Sequence, residues 1–595
     1  MSADQLEVEW QFDALDLRPV ERWLAEPART GLGPTSHGVV AVAQEDRRMV
    51  DRYLDTVDWR VGRAGFVLRT RSRGRGNEAT LKDMSPAGET GLRRRLEITQ
   101  DLPGGDPSSL DLTGPVGRRI RAVAGKRELR EVFEVRTRRR PYTLLSGDLE
   151  VGEIALDDTR IVSRGSETRV HLRRIEVEVK PSWVRSLEPL VAQLRSSCGL
   201  QPATLSKFEA GLLALGATIP GPSELGPIEA GPSSSMHELA LVAIRRNLAE
   251  LLRCEPGTRL GEDIEELHDM RVATRRLRAA LGLFTDVLPP RAVMIRDELR
   301  WLAGVLGGVR DLDVQIARID EMDHWAEFWQ DDPGSKGSVL VEFRTRLVAD
   351  REERRTVLLD VLDSTRWERL VADLTSLCHV RASPRLASAR TPATVAVPQL
   401  VEARHRAVVR SARRARRTGK ATDYHRLRIR AKRLRYSLEL TSDLYGARTT
   451  RFVRQLARLQ DQLGSMQDAE VATKTLLGLA TEERRYATLS RHTVFVMGAI
   501  AERYRGDADR LLGRMKTLLG VLDAKEWDQL SGSMDRRRNE ALARVSSARP
   551  TPTANVSPAP DGQTQLHEPP RAGNAHATEI QDAAGGTALP PTESW

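Results

Sequence analysis

The feature that most constrains this chain is a motif that occurs twice. His-x-x-Arg-x-x-x-Arg-Arg-Leu-Arg begins at His268, and its counterpart, with Lys432 in place of one arginine, begins at His425, 157 residues later. A second pair keeps the offset. LGGVRDLDV from Leu306 answers LGSMQDAEV from Leu463, matching Gly307 with Gly464, Asp311 with Asp468 and Val314 with Val471. Two motif pairs at one spacing indicate an internal duplication. The repeated unit reads as helix. Met270, Ala273, Leu277, Leu281 and Phe284 recur at three- and four-residue steps, the stripe of a buried helix face. His268, Arg271, Arg275 and Arg278 stand on the other side, within an arc of roughly 80° at 100° per residue. Leu427, Leu434 and Leu438 likewise back His425, Arg428, Lys432 and Arg435. The expected architecture for 236–545 is an all-α, two-lobed duplicated bundle, divided near the Pro-containing break at 381–398.

The first 214 residues follow another period. In LEVEWQF, Leu6, Val8, Trp10 and Phe12 alternate with Glu7, Glu9 and Gln11. In RRIEVEVK, Ile175, Val177 and Val179 alternate with Arg174, Glu176, Glu178 and Lys180. FVLRTRSR, TLK, GLRRRLEI and VFEVRTRRR are basic versions, with turn residues between them. Period-two alternation is the strand signal, so 1–214 reads as an antiparallel, mostly β domain. Residues 215–235 are rich in Pro, Gly and Ser and read as a linker; 546–595 are aperiodic, low in large apolar residues, and read as a disordered tail. The chain is therefore a multidomain α and β protein, and its 595 residues exceed what one core can organise.

Charge narrows the partners. The net charge is +10, and most of the excess lies in 236–545, where 56 basic residues meet 44 acidic ones. Salt-bridged surface helices interleave both signs, whereas the two repeated faces are almost purely basic, and like charges at that spacing repel. A polyanion is the natural compensation. Metal fits these faces poorly, because each motif holds one histidine among cations. Nucleic acid is disfavoured too: aromatic residues make up 4% of the chain, leaving few stacking platforms, and no Cys/His finger or basic zipper is present. Cys198, Cys254 and Cys378 are too few and too scattered for a disulfide framework. The start MSADQLEVEW lacks a signal-peptide pattern and no apolar run is long enough to span a membrane, so a cytoplasmic protein with no membrane partner is expected.

The β half resembles a known family. The ordered run Glu-x-Glu at Glu7, YLDT (Tyr53–Thr56), LRTR (Leu68–Arg71), TLK (Thr80–Lys82), FEVRTR (Phe133–Arg138), ALD (Ala155–Asp157), EVE (Glu176–Glu178) and SKF (Ser206–Phe208) resembles the CYTH domain of the triphosphate tunnel metalloenzymes. The resemblance implies an eight-stranded antiparallel β-tunnel with flanking helices that binds a triphosphate and a divalent metal, Mg²⁺ or Mn²⁺. By position, Glu7, Glu9, Glu176 and Glu178 would hold the metal. Arg69, Arg71, Lys82, Arg93, Arg95, Arg136, Arg138 and Lys207 would grip the triphosphate. Activities in the family include inorganic triphosphatase, thiamine triphosphatase and class IV adenylyl cyclase. No side chain is assigned as catalytic base; a metal-activated water is expected to attack. The family signature continues to a lysine where this chain has Gln11, which keeps a donor and loses the charge.

The duplicated half resembles the CHAD domain, the conserved-histidine α-helical domain. That resemblance implies a basic channel for inorganic polyphosphate, lined by His268, Arg271, Arg275, Arg278, Arg310, His425, Arg428, Lys432, Arg433, Arg435 and Tyr436. Gln467 stands where the first repeat has Arg310, so the lobes differ in charge. The leading expectation is hydrolysis of inorganic triphosphate or a related triphosphate in the tunnel, with polyphosphate binding or docking on polyphosphate granules by the helices. The alternatives are a non-catalytic polyphosphate-binding protein with a weakened tunnel, and an adenylyl cyclase.

Overall fold

The computed structural model describes residues 5–25, 38–73, 76–84, 88, 90–104, 110–163, 166–326, 340–481, 491–518 and 525–547. Of the expected tail, residues 548–595 lie outside the described residues.

The first half follows the order β1 (Gln5–Asp13), α1 (Arg18–Ala25), β2 (Val39–Ala43), β3 (Arg47–Asp55), α2 (Arg60–Arg63), β4 (Phe66–Arg73), β5 (Gly76–Asp83), β6 (Leu92–Asp101), α3 (Pro115–Ala124), β7 (Arg130–Ser146), β8 (Leu149–Ser163), β9 (Ser166–Val179), α4 (Val184–Cys198), β10 (Gln201–Pro202) and α5 (Lys207–Leu215). Eight strands form an antiparallel path β1-β6-β5-β4-β3-β7-β8-β9, and β9 pairs back to β1, closing a barrel. Strands β2 and β10 pair onto the outside of this path, with β7 and β1.

Closure gives the alternating strands an inside and an outside. Outward-facing Val8, Trp10, Phe12, Ile175 and Val177 pack with residues of α1 and α4. Leu68, Leu81 and Ile98 pack with Val116 and Ile120 of α3. Glu7, Glu9, Lys82, Arg93, Arg95, Glu176 and Glu178 of the same strands are left facing inward. One end of the lumen is apolar, because α5 plugs it. Phe208 stacks on Phe133 at 5.9 Å and lies 5.5 Å from Tyr53, centroid to centroid. Helix and ring approach so closely that a Cβ on Gly211 would sit 2.2 Å from the Phe133 ring.

The second half contains α6 (Met236–Leu260), α7 (Ile264–Leu283), α8 (Arg291–Ala326), α9 (Val341–Leu362), α10 (Thr365–Cys378), α11 (Ala387–Arg390), α12 (Ala393–Thr418), α13 (Ala421–Leu440), α14 (Ala447–Thr481), α15 (Arg491–Leu518) and α16 (Lys525–Ser547). The duplication governs the helix boundaries. Met236 and Ala393, Ile264 and Ala421, and Leu283 and Leu440 each stand 157 residues apart. Both lobes contribute to one apolar core, and an antiparallel bridge of Ser235 with Pro392 ties their starting points. Between barrel and helices, Ile219 packs with the apolar end of the barrel and Leu225 is buried in the helical core.

A buried ionic network joins the barrel to the first lobe. Asp55 of the YLDT motif accepts from the backbone N–H groups of Thr56, Val61 and Gly62, fixing the turn that carries Arg60. Arg60 and Arg259 both reach Asp363 Oδ1 at 2.8 Å. Arg63 meets Glu255 at 3.0 Å, and Arg119 meets Glu262 at 2.9 Å. Gly125, at φ +60°, is the residue Asp363 overlies: a Cβ there would lie 2.3 Å from its carboxylate.

Candidate functional site

The barrel encloses a cavity of about 720 Å³ lined by inward residues of its strands and by Ser206–Glu209 at the start of α5. Strand pairing brings the charges together. Glu9 is opposite Arg93 on β6 and opposite Glu178 on β9. Arg69 and Lys82 face the same lumen from β4 and β5. Lys207 enters from α5, whose N-terminus is held by a capping box between Ser206 and Glu209, and reaches Glu176 at 2.9 Å.

The cations are not equally committed. Arg71 is bound at both ends by the buried Asp51, at 2.6 and 2.8 Å. Lys82 sits between Glu7 at 2.8 Å and Glu97 at 3.0 Å. Arg95 bridges Glu7 at 2.7 Å and Glu9. Arg69 has only long contacts, 3.6 Å to Asp51 and 3.8 Å to Glu97, and its buried Nε has no hydrogen-bond partner. Arg69 therefore keeps a donor available to an anion.

The carboxylates divide in the same way. At Glu7 burial is outweighed by Lys82 and Arg95, which hold it well below the usual carboxylate range. At Glu176 burial is outweighed by Lys207 and Arg139, with the same result. Glu9 is pushed up to about 7 by burial, and the charges of Glu7 and Glu176 add to this against Arg95. Burial also pushes Glu178 up to about 7, with the Glu7 charge adding. Two facing carboxyls short of positive charge, one of them with no ion pair among the described residues, suit a hard divalent cation with oxygen ligands. Gln11 donates to Glu9 at 2.8 Å and leaves its own buried Oε1 unpartnered.

Among the described residues, the only three ligating groups gathered within 4.8 Å are Glu250, Cys254 and Asp269, in the first lobe. That cluster is already compensated. Arg253 lies 2.9 Å from Glu250 and 3.8 Å from Asp269, and burial pushes the Cys254 thiol up to about 12, so it stays protonated.

In the helical half, the two motif helices α7 and α13 bring their basic faces together. Arg275 of α7 and Arg435 of α13 lie over the Tyr436 ring, at 5.7 and 5.6 Å from its centroid. The paired glycines have parallel roles: a Cβ on Gly307 would lie 3.7 Å from the Arg271 side chain, and one on Gly464 would lie 3.4 Å from Arg428. Each motif arginine thus lies over a side-chain-free patch of the following helix. Acidic compensation on these faces is partial: Arg310 meets Glu265 at 3.3 Å, Arg435 meets Glu439 at 3.2 Å and Arg271 lies 3.6 Å from Asp311. Nε of Arg275, Arg278 and Arg435, Nδ1 of His268 and the Tyr436 hydroxyl are buried without hydrogen-bond partners. Burial lowers the Arg275 pKa, with Arg271 and Arg435 adding, and burial with Arg310 lowers that of His268.

The structure gathers Glu7, Glu9, Glu176, Glu178, Arg69, Arg71, Lys82, Arg93, Arg95 and Lys207 around one cavity. It does not gather Arg136 and Arg138. Both are exposed, at 65% and 63%, and they pair with Glu134 and Asp46 on the outer surface. The inward arginine of β7 is Arg139, bonded to Asp157 at 2.7 Å and to Glu176. Strand β7 reads as basic on both faces, and a one-residue shift exchanges them. Phe133 and Val135, buried in the apolar lumen end, set the register. Asp51, Glu97, Glu153 and Asp157 were also missed as site residues; Glu97 could have been read from its alternation with Arg93 and Arg95. His171 is a surface residue paired with Asp158. In the helical half Arg433 and His425 are exposed, with Arg433 turned away from the face of Arg428 and Lys432. The Gln467 side chain lies outside the described residues.

Two family models match the chain, one in each half. Residues 35–211 match the CYTH domain and residues 242–477 match the CHAD domain. The crystal structure of the CHAD domain from the plant Ricinus communis is 26% identical and covers 50% of this chain and 94% of its own, with a TM-score of 0.38. PptA from Streptomyces chartreusis is 18% identical, covering 48% and 99%, with a TM-score of 0.38. A putative adenylyl cyclase from Hippeastrum, described as having a dominant triphosphatase activity, is 16% identical, covering 36% and 98%, with a TM-score of 0.26. No curated protein matches the chain.

Proposed function

Because this chain carries a CYTH domain followed by a CHAD domain, we propose that it hydrolyses inorganic triphosphate or a related triphosphate in the barrel and binds polyphosphate along the helical basic faces. One observation carries the reading. A closed lumen holds Arg69, whose buried Nε has no hydrogen-bond partner, and further cations, together with two facing carboxyls short of positive charge, Glu9 and Glu178.

Glu9 and Glu178 would hold the divalent cation, with Glu7 and Glu176 beside them. A bound Mg²⁺ or Mn²⁺ would neutralise phosphate oxygens and polarise the phosphorus toward water. The chain's own residues do the positioning. Arg69 and Arg93 take phosphate oxygens, and Arg95 and Lys82 exchange carboxylate partners for phosphate as the substrate enters. Lys207 and Arg139, anchored by Asp157, hold the far end of the phosphate chain and stabilise the leaving group. The apolar plug of Phe208, Phe133 and Tyr53 closes that end to water.

Purified full-length protein is incubated with tripolyphosphate, ATP and thiamine triphosphate in Mg²⁺ or Mn²⁺, and phosphate release is followed. Release that is abolished by chelator and by Glu178→Gln is the expected result. No release from any of the three substrates overturns the enzymatic reading. In that case retained polyphosphate binding supports the second reading, a non-catalytic binder, which Gln11 favours by placing a neutral amide against Glu9.

A further inference from the structure

The two helical lobes repeat each other in helix boundaries but not in charge. Residues 247–278 carry six basic and seven acidic side chains, whereas the equivalent 404–435 carry fourteen basic and one acidic. The equivalent outer faces have different surroundings. In the first lobe that face docks the barrel with charges of both signs: Glu255 on Arg63, Glu262 on Arg119, and Arg259 beside Arg60 on Asp363. In the second lobe the positions of Glu255 and Glu262 hold Ala412 and Gly419, while those of Pro256, Leu260 and Asp263 hold Arg413, Arg417 and Lys420.

Arg410, Arg413, Arg416, Arg417 and Lys420 are exposed. The single acid of 404–435, Asp423, is buried and already bound by Arg414, Arg426 and Thr418, and the acids flanking that stretch, Glu402 and Glu439, pair with Arg406 and Arg435. Arg410, Arg413 and Arg417 recur at three- and four-residue steps, a stripe about 10 Å long. Helix α13 continues it. From Arg435 and Arg428 through Lys432 and His425 to Arg433, Arg426 and Arg430, its basic arc covers roughly 220° at 100° per residue, interrupted by Ile429. Arg430 also donates to the Ala407 carbonyl of α12, so the two helices present one surface. The outer stripe is therefore joined to the channel face around the exposed flank of α13.

We propose that the outer face of α12 and α13 is a second polyanion site, a track that extends the helical channel and makes the domain prefer long phosphate chains to short ones. The inference rests on the channel being a polyphosphate site. A protein partner of the kind docked on the first lobe meets both signs of charge, whereas this face offers one sign, regularly spaced, which suits a linear chain of phosphates.

The test uses the full chain, with long-chain polyphosphate and tripolyphosphate as probes. The variant Arg410→Ser/Arg413→Ser/Arg417→Ser removes three exposed cations, and thermal unfolding checks that it folds. Long-chain affinity is expected to fall about tenfold and the slope of log affinity against log salt to flatten by about 2, with tripolyphosphate affinity unchanged. Arg413→Glu/Arg417→Glu enlarges the long-chain loss. Wild-type protein that binds polyphosphate, with a variant that binds long chains equally well, overturns the track and leaves the channel reading intact. Wild-type protein that binds no polyphosphate of any length overturns both. A loss seen only with duplex DNA or with anionic lipid vesicles also overturns the track, reassigning the face.

Discussion

The barrel lumen and the helical channel are both lined with cations, yet they solve the burial of charge in opposite ways. In the lumen most cations have a carboxylate partner: Arg71 on Asp51, Lys82 on Glu7 and Glu97, Lys207 on Glu176. In the channel Arg275 and Arg278 keep unpartnered donors and neighbouring arginines face one another, while carboxylates meet only part of the set, Glu265 on Arg310 and Glu439 on Arg435. A partnered site can remain folded and empty and then exchange partners when an anion and a metal arrive together. A site with an excess of one sign is strained when empty and gains from any polyanion, with affinity set by the number of charges neutralised. The lumen is built for a defined substrate, the channel for length.

Four measurements would break or sharpen that contrast. Glu178→Gln should reduce metal-dependent phosphate release roughly 100-fold or more while leaving polyphosphate binding intact, because the lost oxygen ligand contributes several kcal/mol to charge stabilisation. A variant that retains full turnover would remove the carboxylate pair from the site. Arg69→Ala should lower kcat/KM about 50-fold, the loss of a charge-assisted hydrogen bond to phosphate. Arg136→Ala and Arg138→Ala should each stay within about twofold, since exposed pairs contribute little. If the outer arginines matter as much as Arg69, the inward register of β7 is wrong.

Arg271→Ala/Arg428→Ala should weaken polyphosphate binding about tenfold and flatten its salt dependence, leaving tripolyphosphate hydrolysis unchanged. Equal loss of both activities would merge the two sites into one. The last expected effect is with pH. Glu9 and Glu178 are pushed up to about 7, so both are largely protonated below that value and ionised above it. A divalent cation must displace those protons, so Mn²⁺ affinity should rise about tenfold between pH 6 and pH 8 for each carboxyl it deprotonates, and up to roughly 100-fold when both are displaced. Isothermal titration at the two pH values measures it, and affinity that falls with rising pH would contradict the assignment.

Much of this was legible in advance. The two lobes followed from two motif pairs at one offset, and the helices repeat at that offset because a duplicated sequence repeats its apolar stripes, although the N-caps differ, Ser235 and Asp263 against Pro392 and Lys420. Ten of the twelve expected barrel residues share the cavity, because Glu-x-Glu and Arg-x-Arg on alternating strands can share a face only at that period. The composition of residues 215–235 read as a linker and did not reveal that Leu225 is buried among the helices.

The sequence by itself determined the two periods, the duplication and the supply of charges. Tertiary structure alone decided which face of β7 looks inward, since a strand with arginine at consecutive positions offers two equivalent faces until Phe133 and Val135 are committed to the plug. It also decided which carboxylates are compensated, because Glu7 with Lys82 and Glu176 with Arg139 are partners made by strand pairing across dozens of residues. Local pattern fixes what each segment can present; only the long-range pairing of segments selects what each charge meets.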